Sequence, residues 1–156
     1  MTIDFEILTK FAKESNLIEG ITGLPAQVEH AYALEQLLSM DRMLVTADID
    51  EFVHAVQPGA KLRAIPGMDV RVGNHVPPRG GPNVMAEFVD LLRIISKNAW
   101  NPFISHKMYE TLHPYMDGNG RSGRALWLWQ MHKYYGYKGQ RLFLHEWYYQ
   151  SLDNSR

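Results

Sequence analysis

The chain has 156 residues, of which 46% are hydrophobic and 21% charged; that balance fits one ordinary globular domain and excludes disordered, fibrous and disulfide-framed classes. Its 16 basic and 17 acidic residues leave a formal net charge of -1, so no long-range field draws in nucleic acid or an anionic membrane. With no cysteine, disulfides and thiolate metal sites are unavailable, which suits a reducing cytoplasm.

The opening segment, MTIDFEILTKFAKES, lacks the apolar run of a secretory signal. No stretch approaches the roughly 20 apolar residues of a membrane span, and the expectation is a cytoplasmic protein with one domain over residues 1–156. A first helix from about Asp4 places Ser15 and Glu19 one turn apart on one face, with Gly20 as its stop. A carboxylate there opposes the helix dipole at a cost of a few tenths to about 1 kcal/mol, which raises the question whether Glu19 meets a cation elsewhere; an exposed Glu at a fraying helix end is the ordinary reading. Pro25 opens a second helix carrying Val28, Ala31, Tyr32, Leu37 and Leu38. Asp48 and Glu51 have the form of a capping box ahead of Phe52 and Val53.

Leu62 and Ala64, then Val70 and Val72, alternate around Pro66-Gly67 and predict a short hairpin, stable only if it docks on a helix. The turn-rich run from Gly73 to Pro82 follows; a plain surface connector is the competing reading of the whole region. Asn83 is the expected N-cap of a helix whose apolar stripe is Val84, Phe88, Leu91, Leu92 and Ile95. Asn101 and Pro102 open another helix through Leu112, which must end at His113 because Pro114 follows. A last helical pattern takes in Leu126, Trp127, Trp129, Gln130 and Tyr134 before Gly136. The predicted class is all-α with one short β-hairpin.

Between the last two helices the chain reads His-Pro-Tyr-Met-Asp-Gly-Asn-Gly-Arg-Ser-Gly-Arg, residues 113–124. A tight turn of Gly118, Asn119 and Gly120 feeding a helix N-terminus offers free N–H groups and the positive dipole end to an anion, phosphate above all. Arg121 and Arg124, three apart, supply two guanidinium forks for phosphate oxygens. Asp117 is a hard oxygen ligand of the kind that holds Mg²⁺ together with substrate phosphates. His113 is the nearby group whose ordinary pKa lies close to neutrality, as a general base requires. Singly, each has an ordinary reading: a structural histidine, a solvated arginine pair, an Asp-Gly-Asn-Gly hairpin turn. Their coincidence within 12 residues favours a phosphate-transfer site. Gly118-x-Gly120-x-x-Gly123 also fits the dinucleotide fingerprint literally, but that pattern must follow a strand, and here a helix precedes it.

The segment resembles the signature of Fic-domain proteins, His-x-Phe-x-Asp/Glu-Gly-Asn-Gly-Arg-x-x-Arg, with Tyr115 in place of the usual Phe; a buried tyrosine there needs a partner for its hydroxyl. Leu62 to Val72 with the following Gly73-Asn74-His75-Val76-Pro77 resembles the family's flap, and Ser15-Asn16-Leu17-Ile18-Glu19-Gly20 resembles its inhibitory motif, Ser/Thr-x-x-x-Glu-Gly/Asn. The resemblance implies a protein adenylyltransferase with an inhibitory helix at 1–20, a flap at 60–78 and a catalytic motif at 113–124. On that reading His113 takes the proton of a Ser, Thr or Tyr hydroxyl, which attacks the α-phosphate of ATP. Asp117 holds Mg²⁺; Gly118, Asn119, Gly120 and Gly123 belong to the phosphate cradle, with Arg121 and Arg124 on the outer phosphates. The flap residues Val70, Arg71, Val72, Asn74 and His75 dock the target segment. Glu19, with Ser15, pairs with Arg124 in the place of the γ-phosphate and restrains the enzyme. The implied partners are ATP and a hydroxyl-bearing target protein, with self-modification and a homo-oligomer also admitted.

Three readings stay open: AMP transfer; the same fold with another phosphate donor, or removing AMP with Glu19 activating water; and an interaction module without catalysis. His30, His54, His75, His106, His132 and His145 show no ligand spacing with acids. The aromatic set Trp127, Trp129, Tyr134, Tyr135, Tyr137, Trp147, Tyr148 and Tyr149 is read mainly as core.

Overall fold

A computed structural model of the chain describes residues 3–137; Trp147, Tyr148, Tyr149 and His145 lie outside them. Among the described residues the chain forms six helices: α1 (Phe5–Ile18), α2 (Leu24–Leu38), α3 (Thr46–Val56), α4 (Pro82–Ser96), α5 (Pro102–Leu112) and α6 (Asn119–Tyr135). The architecture is all-α, and β structure is minor: two isolated antiparallel bridges, Leu62 with Tyr115 and Val72 with His75.

Helix α6 organises the rest. From Arg121 to Gln130 every residue is buried, which an amphipathic surface helix could not tolerate, and α6 touches all five other helices. It is a central helix whose first turn carries the motif. Its end is set by Gly136 in the left-handed conformation at φ 64°. Trp127 and Trp129 are buried on it and Tyr137 just beyond it, as expected, whereas Tyr134 and Tyr135 are exposed, because the last turn runs out of the core.

Several helix starts differ from expectation for local reasons. Helix α4 begins two residues early, with Gly81 as N-cap and Pro82 in the first turn, so Asn83 is already helical. In α3 Asp48 is not the cap but the third helical residue: its carboxylate accepts the Val45 N–H at 2.8 Å and pairs with Arg42 at 2.8 Å. Glu51 is exposed there and plays no part. On α2 the buried side is His30, Ala31, Ala33, Leu34 and Leu37, while Tyr32 is exposed and tilted against Phe5 at 4.8 Å. The segment 113–124 is only half a loop, because helix α6 claims it from Asn119 onward.

The expected hairpin keeps its turn but not its pairing. The Met68 N–H reaches Ile65 O at 3.2 Å around Pro66-Gly67, yet Leu62 and Val72 do not face each other. Arg63 N–H instead donates to Pro114 O at 2.8 Å and Met116 N–H to Lys61 O at 2.8 Å, so residues 61–63 are stitched to the motif loop. The actual hairpin is the tight Val72–His75 turn, with both of its N–H···O bonds at 2.9 Å and Gly73 at φ 58° in the first central position.

Helices α1 and α2 pack through a polar contact as well as through Leu8, Phe11, Ala12 and Leu34. His30 lies buried, with Nδ1 at 2.8 Å from Asn16 Oδ1, and its ring meets Phe52 edge-on at 5.5 Å. Asn16 Oδ1 can only accept, so His30 is the Nδ1–H tautomer. Burial, then the charges of Arg124 and Arg121, lower its pKa from 6.5 to about 3. A lowered folded-state pKa for a base means that only the unfolded chain takes up this proton between pH 6.5 and 3. Its contribution is therefore intact above pH 6.5 and drains away as pH falls, by about 1.4 kcal/mol per unit. Denaturant titrations from pH 7 to 4 should show a steeper acid loss for the unaltered chain than for His30→Gln; parallel slopes would refute the assignment.

Candidate functional site

Helix α5 starts where Asn101 Oδ1 accepts the N–H groups of Phe103 and Ile104, each at 3.0 Å, and it ends at His113. His113 is left-handed, at φ 52° and ψ 64°, one of two non-glycine residues with positive φ among those described. That geometry costs an L-residue roughly 1–2 kcal/mol and is held by its surroundings. Its N–H closes the helix on Tyr109 O at 2.8 Å, and its carbonyl accepts from Arg63 Nε at 2.7 Å.

The loop after it is closed by one side chain. Asn119 Oδ1 accepts the Tyr115 N–H and Asn119 Nδ2 donates to Tyr115 O, both at 2.8 Å. Tyr115 is buried, its ring edge-on to Phe88 at 5.8 Å, and its hydroxyl donates to Asp50 on α3. This is the partner that the tyrosine requires in place of phenylalanine. Burial pushes the phenol far above its ordinary pKa, so it remains a donor. Asp117 is exposed, with Oδ1 accepting the Gly118 N–H at 2.8 Å.

Gly118, at φ 80°, turns the chain into α6, and no side chain caps the first turn. The N–H groups of Asn119, Gly120 and Arg121 therefore face out of the positive end of a buried helix. A carboxylate already lies there. A Cβ on Gly120 would run into Glu19 Oε1 and Arg124 Nη1, so Glu19 sits directly over that glycine. Arg124 Nη2 pairs with Glu19 Oε1 at 2.8 Å and with Ser15 O at 3.0 Å, while Nε donates to Ser15 Oγ at 2.8 Å. Arg124 is fully buried and Glu19 caps the C-terminus of α1, so the carboxylate that opposes its own dipole is satisfied by the next helix.

The two arginines do not form a common fork. Arg121 turns to α3, with Nη1 on Val56 O at 2.5 Å and Nη2 on Gln57 Oε1 at 2.7 Å. Gly123 serves packing: a Cβ there would strike the Glu110 carboxylate and the Tyr109 ring. Of the flap residues, Val70 and Val72 are half-buried and Arg71 and Asn74 exposed, while His75 Nε2 lies 2.9 Å from Thr111 O and pins the flap to α5. Thus the Asn119 turn, Arg124, Ser15 and Glu19 converge at the N-terminal end of α6, with His113 at the end of α5 just before the loop that leads into it and Arg121 diverging toward α3. The sequence reading missed Arg63 and Asp50. Nothing in the local pattern distinguishes a buried Arg63 from an exposed one, although a tyrosine in an otherwise apolar motif slot does call for a partner such as Asp50.

Among the described residues no group of three or more His, Asp or Glu could cage a metal. Mg²⁺ does not need one: a single exposed carboxylate beside an anion-accepting helix end fits an ion that also takes phosphate oxygens and water. Asp117 has that character.

Replacing Tyr115 by Phe should leave the fold intact and cost about 0.5–1.5 kcal/mol, the worth of one hydrogen bond to a carboxylate that can fall back on water. Urea unfolding of the two proteins measures it; equal stability would show that the Asp50 contact contributes nothing.

No family model matches the chain, and no curated protein matches it significantly. Among solved structures, a Fic domain containing signaling protein from Bacteroides thetaiotaomicron aligns with a TM-score of 0.70 at 21% identity, over 96% of this chain and 71% of that one. At that identity the likeness carries the fold alone: among the described residues, five helices around a buried sixth, arranged as in a Fic-domain protein.

Proposed function

We propose that the chain is a Mg-ATP-dependent protein adenylyltransferase held at low activity by its own Glu19. The observation that carries the reading is the ion pair of Glu19 with buried Arg124 over Gly120, at the uncapped N-terminus of α6. An anion is accepted at this spot, and the one there belongs to the chain itself.

With the carboxylate withdrawn, the same groups suit a triphosphate. The N–H groups of Asn119 and Gly120 face the anion, and Arg124 exchanges Glu19 for an outer phosphate. Arg121 can join only by releasing Val56 and Gln57. Asp117 would hold Mg²⁺, which when bound neutralises phosphate charge. His113 takes the proton from a Ser, Thr or Tyr hydroxyl of the target. The freed oxygen bonds to the α-phosphorus as the bond to pyrophosphate breaks, leaving AMP on the target. The protein's part is positioning and charge stabilisation. The Val72–His75 hairpin, standing beside α5 with Arg71 and Asn74 exposed, is the docking edge for the target backbone.

Incubation with α-labelled ATP and Mg²⁺ tests the reading. Glu19→Gly should raise labelling, of the chain itself or of a target, by at least about tenfold, equivalent to about 1.4 kcal/mol of restraint. His113→Ala in that background should lower it by roughly 10²–10⁴-fold. Label from another nucleotide but not ATP would reassign the donor; no label from any donor would favour a binding module.

A further inference from the structure

We propose that Arg63 is the positioning residue for His113, holding the backbone of the base and the flap on one guanidinium; the inference rests on the function proposed above.

Arg63 is fully buried. A buried cation ordinarily sits against a carboxylate, yet every hydrogen bond of this side chain goes to a main-chain carbonyl. Nε donates to His113 O at 2.7 Å and Nη2 to Leu112 O at 2.8 Å. Nη1 donates to Pro78 O at 2.7 Å and Met68 O at 3.2 Å. Its own N–H donates to Pro114 O at 2.8 Å, and its carbonyl accepts from Gly81 N–H at 2.9 Å. The side chain thus reads one face of the motif and two points of the flap region together.

The geometry at His113 explains why such a clamp is needed. Position 113 is left-handed without being glycine, and the carbonyls ending α5 are orphaned by the helix stop. Three consecutive ones, of Leu112, His113 and Pro114, take their donors from Arg63, and Thr111 O meets His75. A planar fork with donors at fixed angles sets the orientation of these carbonyls, and with it the direction in which the His113 Cα–Cβ bond leaves the chain. Lysine has the charge without the fork. Because Met68 and Pro78 flank the hairpin, a target that moves the flap pulls on the same guanidinium that aims the base.

Arg63→Lys and Arg63→Ala, made in the full Glu19→Gly chain, separate positioning from mere stability. The expected result is a kcat lowered by roughly 10- to 100-fold, the scale of a misplacement near 1 Å, with KM for ATP changed far less. A displaced His113 Cε1–H signal in the ¹H–¹³C spectrum of the folded variant should accompany it, and methylguanidine well below denaturing concentrations should restore part of the kcat of Arg63→Ala. In the Glu19→Gly chain itself, the Arg63 Nε–H should exchange slowly with solvent. Unchanged kcat with an unmoved His113 signal, or a loss confined to KM, would overturn the proposal; so would rapid Nε–H exchange, which needs no substitution at Arg63 and decides the matter even where the variants do not fold. Should the Glu19→Gly chain label nothing from ATP, the proposed function fails while the exchange and His113 spectra still decide whether Arg63 holds this backbone.

Discussion

Everything at the functional end of the molecule depends on how Arg124 is kept charged inside the core. A guanidinium with no solvent exposure is costly unless its donors are met, and here Nε and Nη2 are met by Ser15 and Glu19 across the α1–α6 contact. This one contact has two consequences. It fixes the first helix against the central helix, and it places a carboxylate over Gly120, where the α6 dipole and unbonded N–H groups attract negative charge. The structural and the proposed inhibitory roles of Glu19 are therefore the same interaction. Releasing it exposes a buried arginine to a deficit that a phosphate group is well suited to fill.

A second buried guanidinium does comparable work on the opposite side of the motif. Arg124 gathers one helix onto another, whereas Arg63 gathers loop carbonyls that no helix or sheet satisfies. Between them the motif is braced on both flanks, with Tyr115 bonded to Asp50 and Arg121 bonded to the end of α3. Such bracing suits the proposed role of His113, since a side chain on a left-handed backbone stays aimed only if its neighbours over-determine it.

Much of this was legible in the residues. The stop of α5 at His113 followed from Pro114, the Asn101 cap from its position before Pro102, and the Gly136 end of α6 from its place after the last apolar turn. The pairing of Glu19 with Arg124 was expected from resemblance, whereas the unfavourable dipole at the end of α1 only raised the question of a cation near Glu19. What failed was long-range. Alternation between Leu62 and Val72 could not reveal that Arg63 prefers the orphaned carbonyls of another helix to a strand partner, because that choice depends on residues about 50 positions away. The same holds for Arg121: spacing put it beside Arg124, but tertiary packing gave its guanidinium to Val56 and Gln57. Asn83 and Asp48 were displaced by a residue or more for the simpler reason that helix ends are locally degenerate.

The most direct test of the account is a crystal structure of the Glu19→Gly protein with Mg-ATP. The account predicts the triphosphate against the Asn119 and Gly120 N–H groups, Arg124 on its terminal phosphate, and the His113 ring facing the α-phosphorus. A nucleotide bound elsewhere, or a His113 ring turned away from the phosphates, would contradict it.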